Sequence, residues 1–312
     1  MCFITQELLT GERFYMTLNR MCLRRLAGLL FLICFTYTVT IARAVSTGPE
    51  KGTLILTGGD LETGLKEFVQ LAGGPDANIV YIPTAASSLI MPSGLIWEWR
   101  QTNELPANTP EFKAELCRMF GINSITILHT RSRKIANSEE FVKPLRNAQG
   151  VWISGGNAGR LSGAYLDTLT QRELEALLRR GGVIGGNSAG AIIQGSYTLR
   201  GNPNKPILMA KGSERGFAFL TNVAVNPHLS DAMRQNELVT VLDTHPQLLG
   251  IGIDEKAGIV VSGDRFQVIG QGRVAIYDNT KHGDTWYYWL ESGETFDLRT
   301  RSKLLPTRSS SR

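Results

Sequence analysis

Val183-Ile184-Gly185-Gly186-Asn187-Ser188-Ala189-Gly190-Ala191 passes from an apolar pair through two glycines to a serine, then leaves through another glycine between alanines. A short apolar run that closes on glycine has the character of a buried strand, and the small residues after it let the chain reverse sharply into a helix. The spacing Gly186-Asn187-Ser188-Ala189-Gly190 fits the G-x-S-x-G elbow, in which a strained turn between strand and helix presents a serine hydroxyl at its tip. The same residues would also suit a glycine-rich turn with an idle serine, so the surrounding sequence has to decide.

Outward from this stretch, β-rich runs alternate with helix-like runs. Strands are expected over Leu54 to Thr57, Ile79 to Ile82, Ser124 to Leu128, Val151 to Ser154 and Val183 to Ile184. Several are apolar without alternation, as strands covered on both faces are. This pattern predicts an α/β fold of three layers, a mostly parallel sheet with helices on both faces. A helix is expected over Thr170 to Arg180, opened by a capping box between Thr170 and Glu173 and stopped by Gly181-Gly182. Further on, Ser230 to Asp243 reads as a helix, and Ile251 to Ile276 as short strands that close hairpins on the same domain.

Ligand sites in such sheets lie beyond the C-terminal strand ends. Two other strands end there in glycine pairs. Ser154-Gly155-Gly156-Asn157 offers the Gly156 N–H as a second oxyanion donor beside that of Ala189, and Gly58-Gly59-Asp60 closes the first strand. A serine needs a base, and the candidates are His129, His228, His245 and His282. His228 stands at a strand end before a helix, His129 lies upstream, His245 sits beside Pro246, and His282 lies in a polar turn. An acid must orient the imidazole. Glu255 is the best placed, at the end of Gly252-Ile253-Asp254-Glu255, with Asp254 its immediate rival.

Taken together, the early strand with Gly58-Gly59-Asp60, Ser154-Gly155-Gly156-Asn157, the elbow at Ser188, the strand end at His228 and Gly250-Ile251-Gly252-Ile253-Asp254-Glu255 resemble the cyanophycinase and dipeptidase E family of serine peptidases. The resemblance spans roughly residues 50 to 280. It implies a class I glutamine amidotransferase-like (flavodoxin-like) fold with serine in place of the usual cysteine. It also implies a Ser188, His228, Glu255 triad, oxyanion donation from Gly156 and Ala189, and no metal or organic cofactor. The implied substrates are peptides cleaved after aspartyl residues; cyanophycinases release β-aspartyl-arginine dipeptides from a bacterial storage polymer. Asn157, Asn187, Asn226 and Arg234 are the expected substrate contacts. The chain departs from the cyanophycinase pattern at several of these places. Asn157-Ala158 and Asn226-Pro227 replace Asp-Gln pairs, and Ala232 and Glu237 stand where an arginine cluster keeps only Arg234. Relatives of this kind often form homodimers, but no stretch of this sequence marks an interface.

At the N-terminus, Arg24 and Arg25 precede an apolar run from Leu26 to Val39 and then Ala42-Arg43-Ala44. That order predicts a signal peptide over residues 1–44, with Met16 or Met21 as alternative starts, and hence an extracytoplasmic protein without a stable membrane anchor after cleavage. An uncleaved anchor is the alternative. Cys2, Cys22 and Cys34 fall in that leader, so Cys117 is left without an intramolecular disulfide partner. The formal charge of +5 is concentrated at the ends: residues 1–44 carry +3 and residues 296–312 carry +4, leaving −2 for residues 45–295. The latter are expected to form one hydrolytic domain, followed by a basic tail over 296–312 that is disordered from Thr307. A folded part that is not basic argues against nucleic acid as a partner. Two rival readings stand beside the peptidase. One is an α/β-hydrolase-type esterase, which would need His282 with Asp243 or Asp254; the other is an idle binding protein on the same scaffold.

Overall fold

The apolar runs ending in glycine form the middle of a sheet. The computed structural model describes residues 46–60, 62–90, 93–94, 96–98, 109–200 and 213–305. The first half of the chain supplies β1 (Thr53–Thr57), β2 (Ile79–Ile82), the short pair β3 (Ser88–Ile90) and β4 (Ile96–Glu98), β5 (Thr126–Ile127), β6 (Gly150–Ile153) and β7 (Val183–Asn187). The second half supplies β8 (Gly195–Tyr197), β9 (Leu220–Pro227), β10 (Leu249–Ile253), β11 (Ala257–Ser262), β12 (Arg265–Gly270), β13 (Val274–Tyr277), β14 (Tyr288–Leu290), β15 (Thr295–Asp297) and β16 (Ser302–Leu304).

The main sheet runs in the order β16-β15-β12-β11-β1-β7-β6-β2-β5. From β1 to β5 its neighbours are parallel, and from β1 to β16 they are antiparallel. A second sheet, β14-β13-β10-β9-β8, pairs β8, β9 and β10 in parallel. The strands expected between Ile251 and Ile276 are therefore shared out: β11 and β12 extend the main sheet, while β10 and β13 belong to the second.

Alternate residues of the central strands face opposite layers. Ile55, Tyr81 and Trp152 pack with Phe68 of the helix Leu65–Ala72 and with Phe112, Leu116 and Phe120 of the helix Pro110–Phe120. Leu54, Leu56, Val80 and Ile153 face the other way, against the helices Glu139–Asn147, Ala158–Tyr165 and Leu169–Arg179 and the inner face of the second sheet. The helix Glu237–Thr244 covers that sheet's outer face with Leu238, Val241 and Leu242. Among the described residues no helix is long and apolar enough to cross a membrane.

Three local expectations give way to tertiary contacts. The helix after Tyr165 starts at Leu169 with Thr168 at its N-cap, and the capping box of Thr170 and Glu173 does not form. The buried Thr170 hydroxyl donates instead to Ala136 O at 2.7 Å, and Glu173 pairs with Arg146 at 3.0 Å. The helix expected over Ser230 to Asp243 begins only at Glu237. Before it, Met233 takes a φ of 51°, and Ser230 bonds to Asp254 rather than into a helical turn. The domain boundary expected at residue 295 falls inside β15, because Phe296 is fully buried and stacks on Phe266 at 5.2 Å. Folded structure therefore continues through β16. The leader over residues 1–44 and the end from Thr307 lie outside the described residues, as do Cys2, Cys22 and Cys34. Cys117 is half-buried in the helix Pro110–Phe120, and desolvation raises its thiol pKa despite Lys113.

The described chain begins in a strap held by Asp264. Its Oδ1 accepts from Ser46 Oγ and Thr47 N, both at 2.7 Å, and from Gly48 N at 3.1 Å. Burial opposes ionisation of this carboxyl, but the three hydrogen bonds and nearby Arg299 outweigh it and hold the pKa below its ordinary value. A depressed folded pKa contributes stability that is present above the unfolded carboxyl's pKa and lost as pH falls through the folded one. Asp264→Ala is therefore expected to melt a few degrees below wild type at neutral pH. In thermal scans the gap should close as pH falls through the carboxyl's titration; a gap that persists unchanged would contradict this account.

Candidate active site

Because β1, β7, β6 and β2 are parallel, the segments following Thr57, Asn187, Ile153 and Ile82 emerge at one edge of the sheet. After β7, Ser188 takes φ 51° and ψ −115° at the start of the short helix Ala189–Ile192. Its amide donates to Gly58 O at 2.7 Å and Thr57 O at 3.2 Å, which ties the turn to the end of β1. Gly190 allows the turn to lie against β6: a Cβ there would stand 2.0 Å from Ile153 O.

From the second sheet, β9 delivers His228 and β10 delivers Asp254 and Glu255. His228 also takes a left-handed φ, 59°. Such backbone costs about 1–3 kcal/mol at a non-glycine residue and persists where surrounding contacts over-determine it. Here those contacts are chemical. His228 Nε2 lies 2.8 Å from Ser188 Oγ, and His228 Nδ1 is hydrogen-bonded to Glu255 Oε2. A carboxylate can only accept, so Nδ1 carries the proton and donates to Glu255, leaving the Nε2 lone pair of the neutral ring to accept from the serine hydroxyl.

The other histidines are engaged elsewhere. His129 Nδ1 lies 3.0 Å from Thr84 Oγ1, His245 Nδ1 lies 2.9 Å from Thr244 Oγ1, and His282 Nε2 lies 2.9 Å from Asp278 Oδ1. The His282 that an esterase reading requires is thus held in a turn of its own. Asp254 is engaged as well, accepting from Ser230 Oγ at 2.6 Å and from Arg273 N at 3.3 Å. Of the adjacent carboxylates, Glu255 alone is bonded to His228.

The glycine pair after β6 adjoins the serine. Gly155 N donates to Asn187 Oδ1 at 3.2 Å, and a Cβ on Gly155 would meet Ser188 Cβ at 3.0 Å. The amides of Gly156 and Ala189 have no hydrogen-bond partner among the described residues. The expected substrate contacts occupy varied positions. Asn187 is buried and its carboxamide is used by Gly155. Asn157 caps the helix Ala158–Tyr165 through Gly159 N at 2.8 Å. Asn226 is wholly buried and donates to Glu237 Oε2 at 3.0 Å, so it lies beneath the surface that a substrate could touch. Arg234 is half-buried and donates to Pro227 O at 3.1 Å; burial, then Arg200, lowers its pKa against the pull of Glu237 and Glu255. Glu237 is neutralised by an ion pair with Arg200, a residue that the sequence reading did not single out.

Gly59 was anticipated only as a lining residue, and its position is more demanding. Its amide and that of Asp60 both donate to Glu255 O, at 3.1 and 3.0 Å, and a Cβ on Gly59 would lie 2.0 Å from Glu255 Oε1 and 2.3 Å from His228 Cε1. No sequence motif announces this, since the contact joins residues nearly 200 positions apart. Among the described residues no group of three or more His, Cys, Asp or Glu side chains could hold a metal ion.

Residues 53–269 match the model of peptidase family S51. The chain is 27% identical to a cyanophycinase from Geminocystis herdmanii (strain PCC 6308) over 231 residues, covering 70% of this chain and 78% of that one. It is 28% identical over 238 residues to a cyanophycinase from Thermosynechococcus vestitus (strain NIES-2133 / IAM M-273 / BP-1), covering 75% of this chain and 69% of that one. The crystal structure of a peptidase from an acI-B1 Actinobacterium superposes with a TM-score of 0.58 at 22% identity, over 80% of this chain and 98% of its own. At that identity the likeness speaks for the fold, which is α/β and class I glutamine amidotransferase-like, as expected. With the family model spanning most of the chain, the protein belongs to peptidase family S51 and is a serine-type peptidase with cyanophycinases among its relatives.

Proposed function

We propose that the protein hydrolyses aspartyl or β-aspartyl peptide bonds through an acyl-enzyme on Ser188. The observation that carries this reading is the unbroken hydrogen-bond chain from Ser188 Oγ through His228 to Glu255. Ser188 attacks the peptide carbonyl while His228 Nε2 takes its proton, and the same nitrogen then protonates the leaving amine. Glu255 holds the ring in the required tautomer and favours the imidazolium that forms. The amides of Gly156 and Ala189 donate to the developing oxyanion, and a water repeats the sequence to release the acyl group.

The aspartyl preference is drawn from kinship with cyanophycinases rather than from the pocket. Asn226, which stands in one of the altered recognition pairs, is buried, and Glu237 is already paired. Dipeptides with α- and β-linked aspartyl groups are therefore the expected substrates ahead of cyanophycin itself. Incubating the purified protein with both dipeptide sets and with the polymer, and assaying released amine, tests this. Turnover of generic peptides at the same rate as aspartyl ones would overturn the substrate class. The leader-like order of residues 24–44 supports action outside the cytoplasm. Fractionation of expressing cells should then recover the protein beyond the inner membrane, cleaved after Ala44.

A further inference from the structure

His228 is the first residue past β9, and its left-handed φ of 59° is set by the two peptide planes that flank it. The plane toward Leu229 is held by backbone groups: Ala232 N donates to His228 O at 3.2 Å, and Leu229 N donates to Ile253 O at 3.1 Å. The plane between Pro227 and His228 is gripped by a side chain. Pro227 O accepts from Arg234 Nη1 at 3.1 Å, a hydrogen bond strengthened by the charge of its donor.

Arg234 meets this corner at two further points. Its amide donates to Leu229 O at 2.8 Å, and its carbonyl accepts from Asn226 Nδ2 at 3.4 Å. The three bonds therefore land on residues 226, 227 and 229, on either side of His228. Asn226 is wholly buried and also donates to Glu237 Oε2 at 3.0 Å, and Glu237 N donates to the same Arg234 carbonyl at 3.0 Å. Glu237 is paired with Arg200, so the segment between His228 and the helix Glu237–Thr244 is closed on itself at both ends. Glu255, the carboxylate bonded to His228, is among the charges that the Arg234 guanidinium feels, after burial, Arg200 and Glu237. The guanidinium is thus half-buried and turned toward the backbone that carries the base.

Resting on the acyl-enzyme reading above, we propose that Arg234 is a positioning residue: it holds the Pro227 carbonyl so that His228 keeps the backbone angle that aims Nε2 at Ser188, and it serves the base rather than the substrate.

The test uses diisopropyl fluorophosphate, which carries neither a carboxylate nor a peptide group, so its rate of labelling Ser188 reads activation by His228 and not substrate recognition. In Arg234→Gln the labelling rate and kcat for the best peptide substrate should fall together by about 10- to 100-fold, the scale of misplacing a catalytic group by up to about 1 Å, while KM stays near wild type. Arg234→Lys, which keeps one charged donor for Pro227 O, should recover much of both rates. A wild-type labelling rate in Arg234→Gln with a raised KM would make Arg234 a substrate contact and overturn the proposal. Equal losses in both variants, together with an early thermal melt, would make it a brace for the fold and overturn it too. A wild type that takes no label would sink the acyl-enzyme reading and this proposal with it. A wild type that labels but leaves aspartyl peptides uncut would sink the substrate class alone, and the labelling rates would still decide the role of Arg234.

Discussion

Ser188→Ala is expected to lower kcat for the best peptide substrate by about a million-fold, the scale seen when the nucleophile of a serine triad is removed. In the proposed mechanism the hydroxyl oxygen forms the acyl bond, and nothing else bonded to His228 can replace it: the ring's other nitrogen is occupied by Glu255. The residual rate should remain above that of water, because the amides of Gly156 and Ala189 belong to the backbone and survive the substitution. The fold should be unaffected, since the turn is held by the Ser188 amide on Gly58 O and Thr57 O and not by the side chain. Single-turnover assays with circular dichroism as a folding control would check this. Activity retained within tenfold of wild type would remove Ser188 from the mechanism.

Gly59→Ala is expected to lower activity as well, though less than loss of the nucleophile, and Gly59 contributes no reactive atom. The added methyl would stand 2.0 Å from Glu255 Oε1 and 2.3 Å from His228 Cε1, both at the ends of side chains that can swing aside. The backbone has little reason to move, so the strain is relieved by displacing the two side chains proposed to activate Ser188. A shift of about 1 Å in a catalytic group costs on the order of a hundredfold in rate. The expected signature is at least about a hundredfold loss in kcat with a melting temperature close to that of wild type. A large fall in melting temperature with little loss of kcat would show instead that Gly59 serves the fold and that His228 and Glu255 tolerate the intrusion.

The two substitutions differ in how visible they are in the chain. Ser188 is legible because everything its turn requires is local: an apolar strand before it, glycines two positions either side, and small residues leading into the helix. The central strands and their burial are legible for the same reason, since Ile79 to Ile82 and Val151 to Ile153 are apolar throughout and need cover on both faces. Gly59 carries no such mark. Its constraint comes from Glu255 and His228, brought to it by β10 and β9 of the other sheet.

The misreadings share that cause. Thr170 and Glu173 have the spacing of a capping box, but Ala136 O and Arg146 offered them better partners. Ser230 looked like a helix start and became a ligand of Asp254. Residue 295 looked like the edge of a charged tail because the basic residues crowd the end of the chain, yet Phe296 among them is a core residue.

By itself the sequence determined the α/β class, the serine elbow and the glycine-ended strands around it, because these depend on periodicity and on residues a few positions apart. Only the tertiary structure decided which of four histidines meets Ser188, and which of two adjacent carboxylates meets that histidine. Asp254 and Glu255 are equivalent as letters in a turn; the Ser230 hydroxyl and the Arg273 amide draw one away, and the backbone bonds from Gly59 and Asp60 anchor the other beside His228. Such choices rest on long-range pairing of strands, and no local pattern encodes them.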